Sequence, residues 1–275
     1  MTQGFDLKEF YGGTIERIKE QGGERARLGM AALMWISHSG RLLQLDELLH
    51  GLAVEIGSAD LNAENIPSVE TLLSCCLGLV VVDREASTVR LIHFTLQEYL
   101  NTFPDIFGPA HSIMAETCLT HLNFRTITNI SSAAPDLSQS TPFLKYSSLY
   151  WGLHARREIS SFVISLALQL FSQIESHIST KLLLKDIQRQ IDHCSRYIPI
   201  DDPVTGFTGL HCASIFGIAE ITTCFMAQPN CDLNQRNFLA ITLLIWAEIC
   251  GQEGVAELLL EKQTVNLDGS DRYPG

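Results

Sequence analysis

Apolar residues recur every three or four positions over residues 24–38, and this spacing predicts an amphipathic helix. A second helix is predicted from Asp46 and a third from Ser68, because acidic and hydroxyl side chains favour helix starts. Two short runs follow, residues 79–83 and 88–92, on either side of a polar turn. Their β-branched residues and their alternation predict a β-hairpin.

Three helices followed by a hairpin is the outline of a winged helix, which we predict over residues 24–104. The sequence Thr-Leu-Gln-Glu at residues 95–98 predicts a capping box at the start of a further short helix. Residues 5–21 also have helical spacing and end at two glycines. We expect residues 1–23 to be the helical tail of a missing upstream domain.

The middle of the chain, residues 105–200, is predicted as a helical spacer. A polar, proline-containing loop is expected at residues 131–140. The predicted helices cover residues 113–124, 143–157, 159–174 and 182–191. The fold class expected for the whole chain is therefore mainly α, with a winged helix, a helical spacer and the helix pairs described next.

The strongest pattern is an internal repeat. Residues 208–213 (TGLHCA) recur as residues 242–247 (TLLIWA) at a shift of 34, and Gly217 recurs as Gly251. This period and the T-P-L-H-x-A-like helix start resemble the ankyrin repeat. We predict two ankyrin repeats, and a third that is truncated, over residues 201–275.

Each residue of the repeat has an expected structural role. A threonine caps the first helix, a histidine one turn later exchanges hydrogen bonds with it, and a glycine permits the left-handed turn that ends the helix. The second repeat has Leu243 and Ile245 in place of the motif's proline and histidine. The residues assigned to these roles and to the apolar face are Thr208, Leu210, His211, Gly217, Thr242, Leu244 and Gly251.

Binding to a protein ligand is expected at the tips of the loops and along the concave face of the first helices. The residues proposed as protein contacts are Gln235, Arg236, Asn237 and Phe238.

Composition narrows the possible functions. The formal net charge is −12, and the predicted third helix, residues 68–76, carries no cation, so nucleic acid is not an expected partner. The longest apolar runs are shorter than the roughly 18 residues that span a bilayer, so we expect a cytoplasmic protein without membrane contact. None of the eight cysteines forms a C-x-x-C pair. We therefore expect reduced thiols and neither metal nor cofactor.

Two segments carry a family resemblance. Residues 32–37 (ALMWIS) and 90–100 (RLIHFTLQEYL) resemble the winged-helix segment that follows the NACHT ATPase in fungal NLR-like proteins. That segment is catalogued as the winged helix of the GPI inositol-deacylase type. Residues 150–156 (YWGLHAR) resemble the helical stretch before the ankyrin array of the same proteins.

The resemblance implies a signalling switch made of a nucleotide-binding NACHT core, a winged helix that locks the core, and ankyrin repeats that sense a ligand. His93 occupies the place of the histidine that contacts bound ADP; alternatively it only hydrogen-bonds at the helix start. The chain contains no G-x-x-x-x-G-K-[ST] loop for phosphates. The expected partners are therefore a protein ligand and a NACHT-type ATPase domain, supplied in cis or in trans.

Two other functions stay open at this stage. The deacylase name suggests a hydrolase-associated domain, but the sequence has no G-x-S-x-G nucleophile elbow, so we expect no enzyme activity. The winged helix suggests DNA binding, which its acidic third helix disfavours.

Overall fold

The computed structural model describes residues 7–130, 141–191, 204–228 and 231–262. The predicted mainly α fold is confirmed. The helices in chain order are α1 (Leu7–Glu20), α2 (Gly23–His38), α3 (Leu45–Leu52), α4 (Val69–Cys75), α5 (Phe94–Thr102), α6 (Ala110–Leu122), α7 (Arg125–Thr128), α8 (Leu144–Arg157), α9 (Ser161–Phe171), α10 (Ile178–Ile191), α11 (Gly209–Phe216), α12 (Ala219–Met226), α13 (Leu243–Ile249) and α14 (Glu253–Leu260). The strands are β1 (Leu43–Gln44), β2 (Val80–Asp83) and β3 (Thr88–Leu91). The predicted loop at 131–140 and the predicted start of a third repeat lie outside the described residues.

Helices α2, α3 and α4 followed by the β2–β3 hairpin form the winged helix. The Ser68 hydroxyl accepts a hydrogen bond from the Thr71 backbone N–H at 3.1 Å and so caps α4. Strands β2 and β3 pair antiparallel, with Val80 opposite Leu91. The side chains of Val89 and Leu91 are buried while Arg90 between them is exposed, as the alternation in the sequence predicts.

The sheet has a third strand that the sequence did not predict. Leu43 pairs with Val89 and Gln44 with Thr88, which gives the strand order β1-β3-β2. A strand of two residues is too short for alternation to be recognised in a sequence. The prediction of a two-stranded hairpin was therefore incomplete.

The start of α5 also differs from the prediction. The helix begins at Phe94, and His93 is its N-cap, because the His93 ring accepts a hydrogen bond from the Thr95 backbone N–H. The Thr95 hydroxyl forms a hydrogen bond with the Tyr11 hydroxyl of α1, at 2.7 Å. The capping box predicted at residues 95–98 is therefore wrong: a histidine caps the helix two residues earlier.

Helix α1 packs against the winged helix. Its buried residues Tyr11, Ile15 and Ile18 belong to the same core as Leu28 and Trp35 of α2. One face of α1 is thus covered by α2 and α5.

The spacer is centred on α8, which packs along α6 and also contacts α10 and α11. Its rings at Tyr146 and Trp151 are fully buried, as expected of an aromatic cluster at helical spacing. His154 is fully buried as well.

One hydrophobic core extends from Tyr11 in α1 to Trp246 in α13. The second helix pair adds a small cluster of its own, in which Leu210 of the first pair packs with Leu243, Val255 and Leu259 of the second. The two helix pairs are therefore stacked on each other and on the spacer.

Candidate interaction surfaces

The start of α5 presents an exposed surface on the winged helix. Here His93 has an extended backbone and lies at the junction between β3 and α5. Its Nδ1 accepts from the Thr95 backbone N–H at 3.3 Å and lies 2.9 Å from the Thr95 hydroxyl. Since Nδ1 is an acceptor, the proton of the neutral ring is on Nε2. One face of the imidazole thus organises the helix start, and Nε2–H is a hydrogen-bond donor.

Two apolar residues flank His93 at this surface. Phe94 is 66% exposed and Ile92 is 44% exposed, and the Phe94 ring lies 4.4 Å from the imidazole. A contiguous apolar patch around a polar group is typical of a protein interaction site, whereas single exposed apolar residues are ordinary. We define Ile92, His93 and Phe94 as the α5 patch.

Sequence reasoning identified His93 but missed its two neighbours. The sequence pattern predicts Ile92 in the second strand of the hairpin, and Phe94 appears only within residues 90–100, which carry the family resemblance. The available signal was the alternation of β3, which places Val89 and Leu91 inward and leaves the next residue, Ile92, outward.

The third helix of the winged helix, α4, lacks the basic residues that bind nucleic acid. Its charged residue is Glu70, and Ser68, Thr71 and Ser74 supply hydroxyls. Arg25 of α2 donates to the Ser74 hydroxyl at 3.2 Å at the edge of this helix. A helix without cations lacks the phosphate contacts that dominate binding to duplex DNA.

The helix pairs begin and end at the residues singled out in the sequence. In the first pair, the Thr208 backbone N–H donates to His211 Nδ1 at 3.1 Å, and Gly217 ends α11 with a left-handed φ of 71°. In the second pair, the Thr242 hydroxyl accepts from the Ile245 backbone N–H at 3.4 Å. Leu210 is buried between the pairs, Leu244 is partly buried in the same cluster, and Gly251 has a φ of 65°.

The loop between the pairs corrects one predicted contact residue. Asn237 is only 5% exposed, and its side-chain oxygen accepts hydrogen bonds from the backbone N–H groups of Leu239 and Ile241, both at 3.0 Å. This residue shapes the loop and is not available to a partner. Of the other three, Arg236 is exposed, whereas Gln235 and Phe238 are half-buried.

The concave face is also smaller than predicted. All eight residues of α11 are buried, because α8 and α9 cover it: Gly209 lies against the Phe171 ring and Phe216 against Gly152. The second pair remains accessible at Ile245 and Ile249, which are 36% and 43% exposed. A groove of about 510 Å³ leads from this face between α8, α10 and α11.

Several of the described cysteine thiols are buried and resist ionisation. Burial raises the pKa of the Cys76 thiol to about 12 and that of Cys250 to about 11, and it raises the pKa of Cys118 as well. Among the described residues no group of three or more His, Cys, Asp and Glu could hold a metal ion. Within the same ranges, every helix is too short or too polar to cross a membrane.

The matched family fits the winged helix just described. Residues 17–104 match the winged helix domain of the GPI inositol-deacylase family. The matched segment runs from the second half of α1 to just beyond α5, roughly a third of the chain. The α5 patch therefore lies within the matched segment. No curated protein matches the chain.

Proposed function

We propose that the chain is a non-catalytic regulatory segment of an NLR-like signalling protein. In this proposal the winged helix domain packs on a nucleotide-binding domain of NACHT type, located in the same chain or in another. The two helix pairs are ankyrin repeats that bind a protein ligand. The matched winged helix domain supports the first half of the proposal, and the 34-residue repeat supports the second.

The α5 patch is the observation that carries the proposal. About two thirds of the Phe94 side chain is exposed to water. Covering this apolar area with another surface would stabilise the complex by roughly 1–2 kcal/mol. The adjacent His93 is held by its cap with Nε2–H as a donor, which suits an anionic group such as a nucleotide phosphate. A nucleotide-binding domain offers both an apolar surface and such a phosphate.

The ankyrin half of the proposal draws on the caps of the helix pairs. Thr208 and His211 lock the first helix, a left-handed glycine ends it, and Leu210 packs on the second pair. The first helix of the first pair is buried under the spacer, so we place the ligand on the second pair and on Arg236.

A non-catalytic role agrees with the state of the thiols and hydroxyls. A cysteine nucleophile needs a lowered pKa, whereas burial raises the pKa of Cys76, Cys118 and Cys250. Ser37 lies beside His38, but its hydroxyl donates to the Leu33 carbonyl within α2 and serves the helix. Deacylase activity belongs to the protein that gives the matched family its name. Turnover of an ester substrate that is lost on one Ser or Cys substitution would favour the hydrolase alternative.

Reduced thiols also guide the proposed location. Seven cysteines in the described ranges are free, which agrees with a cytoplasmic protein.

Retention of duplex DNA that weakens with salt would favour the DNA-binding alternative. We expect no such retention, because α4 has no cations.

Co-elution tests the proposal. The chain is mixed with a separately produced NACHT-type domain in the presence of ADP and separated by size-exclusion chromatography. We expect a shared peak for the unaltered chain and separate peaks for Phe94→Ser. Separate peaks for the unaltered chain would count against the winged-helix half of the proposal. The ankyrin half is tested separately, by binding of a protein ligand to the second pair.

A further inference from the structure

We infer that α8 couples the winged helix to the first helix pair, so that the winged helix, the spacer and the first pair unfold together as one cooperative unit. The inference does not depend on the proposed partners. It follows from close contacts that α8 makes on two sides and from the continuous core described above.

On the winged-helix side, α8 contacts the end of α2. The Trp35 ring lies 5.7 Å from the Tyr146 ring and 6.5 Å from the His154 ring, with both pairs edge to face. Such aromatic pairs add about 1 kcal/mol each beyond the area that they bury. The Gly40 backbone N–H, just after α2, donates to the Tyr146 hydroxyl at 3.2 Å. Both a ring and the backbone at the end of α2 are therefore held by α8.

A buried polar network fixes the position of α8 along its axis. The Tyr146 hydroxyl lies 3.0 Å from His154 Nε2, and His154 Nδ1 lies 2.9 Å from His111 Nδ1 of α6. Tyr146 and His154 are fully buried. Sliding α8 along α6 would separate His154 from His111 and leave a buried polar group without its partner, which is costly. The network thus opposes sliding of α8 along α6 and holds in place the Tyr146 hydroxyl that accepts from the Gly40 N–H.

On the other side, α8 contacts the first helix pair. The Trp151 ring lies 5.0 Å from the Phe216 ring, edge to face. Gly152 follows, and a Cβ atom there would clash with the Phe216 ring. Glycine in a helix interior costs about 1 kcal/mol relative to alanine, so its presence here is explained by this close approach.

Hydrogen bonds continue the contact into the second pair. Arg156 near the end of α8 donates to the side-chain oxygen of Gln252. The Gln252 amide donates in turn to the Ile215 carbonyl of α11 at 3.0 Å. One side chain thus ties α8, α11 and the start of α14 together.

The other end of this series of contacts reaches the helix that carries the α5 patch. The Gln97 amide of α5 donates to the Ser37 carbonyl near the end of α2 at 2.9 Å. Contacts in the described residues therefore run without a break from α5 through α2 and α8 to α11. Proteins open in contiguous cooperative units, and these contacts define one that includes both ends.

Hydrogen exchange measured by mass spectrometry on the whole chain tests the inference. Gly152→Ala forces a methyl group against Phe216. We expect the most protected amides of α2 and α11 to exchange faster by a similar factor, on the order of tenfold. Gly254→Ala is the matched control, because Gly254 is also a helical glycine but has no heavy atom within 4 Å of an added Cβ. It should leave exchange in α2 and α11 unchanged.

The result that overturns the inference is faster exchange in α11 with unchanged exchange in α2. If Gly152→Ala does not fold, Trp35→Phe tests the coupling from the other side. Faster exchange in α11 of that variant supports the inference. Faster exchange confined to α2 and α3 overturns it.

Discussion

Thr208 and His211 hold each other at the start of α11: the Thr208 backbone N–H donates to His211 Nδ1 at 3.1 Å, and the threonine hydroxyl lies 2.8 Å from the same nitrogen. The arrangement satisfies a backbone donor that the preceding chain leaves unpaired. Because Nδ1 must accept, it works only with the neutral imidazole. The second pair has Ile245 in the equivalent position and relies on its threonine alone.

The two threonines should therefore differ in importance. Thr208→Ala removes the hydroxyl that accepts from the His211 backbone N–H, and we expect it to lower the free energy of unfolding by about 1 kcal/mol, the usual cost of losing a good helix cap. The matched variant Thr242→Ala should cost less, since its hydrogen bond is long, at 3.4 Å. Urea denaturation followed by circular dichroism measures both. A larger loss for Thr242→Ala would contradict this account of the caps.

Acid should destabilise the protein through its buried histidines. Burial lowers the pKa of His177 and His211 to about 4 and that of His121 and His154 to about 3. The folded-state pKa lies below the unfolded value of about 6.5, so the stabilisation is complete above pH 6.5 and is lost as the pH falls toward the folded pKa. Each group costs up to about 1.4 kcal/mol per pH unit in that window.

Urea denaturation at pH 7.5, 6.5 and 5 measures this loss. We expect the free energy of unfolding to fall by several kcal/mol between pH 6.5 and pH 5. His211→Gln should reduce the slope by about one proton, whatever its effect at pH 7.5. A free energy of unfolding that is constant across this range would refute the prediction.

Asn237 and Arg236 are neighbours with different roles. Asn237→Ala leaves the backbone N–H groups of Leu239 and Ile241 without their acceptor, and it should lower the free energy of unfolding by about 1–3 kcal/mol. Arg236→Ala changes an exposed side chain and should lower it by less than Asn237→Ala does. Thermal denaturation of the two variants decides between them, and equal losses would show that the loop is not organised by the asparagine.

Much of the fold could be predicted from periodicity. The helices of the winged helix and of both pairs have regular apolar spacing, and Ser68, Thr208 and Gly217 are residues with strong local preferences. These preferences act within a few residues, so a single sequence reveals them.

The errors arose where distant residues decide the structure. Strand β1 exists because Leu43 finds Val89, and Thr95 fails to cap α5 because Tyr11 takes its hydroxyl. Likewise, α11 is fully buried because α8 and α9 cover it, so the concave face expected for binding is smaller. Contacts between residues tens of positions apart leave no periodic trace in one sequence. Of the α5 patch, His93 is identified through a family resemblance and the outward position of Ile92 follows from the alternation of β3, whereas no pattern in the sequence marks Phe94 as exposed.

The affinity between the chain and a NACHT-type domain loaded with ADP tests the central claim most directly. The domain is taken from a protein in which it directly precedes a winged helix domain of this family, and binding is measured by titration calorimetry. Leu42→Ser is the matched control for Phe94→Ser, because Leu42 is another strongly exposed apolar residue, 60% exposed, outside the α5 patch. We predict that Phe94→Ser weakens binding by about tenfold and that Leu42→Ser changes it by less than about twofold. Binding that is equally strong with and without Phe94 would contradict the account.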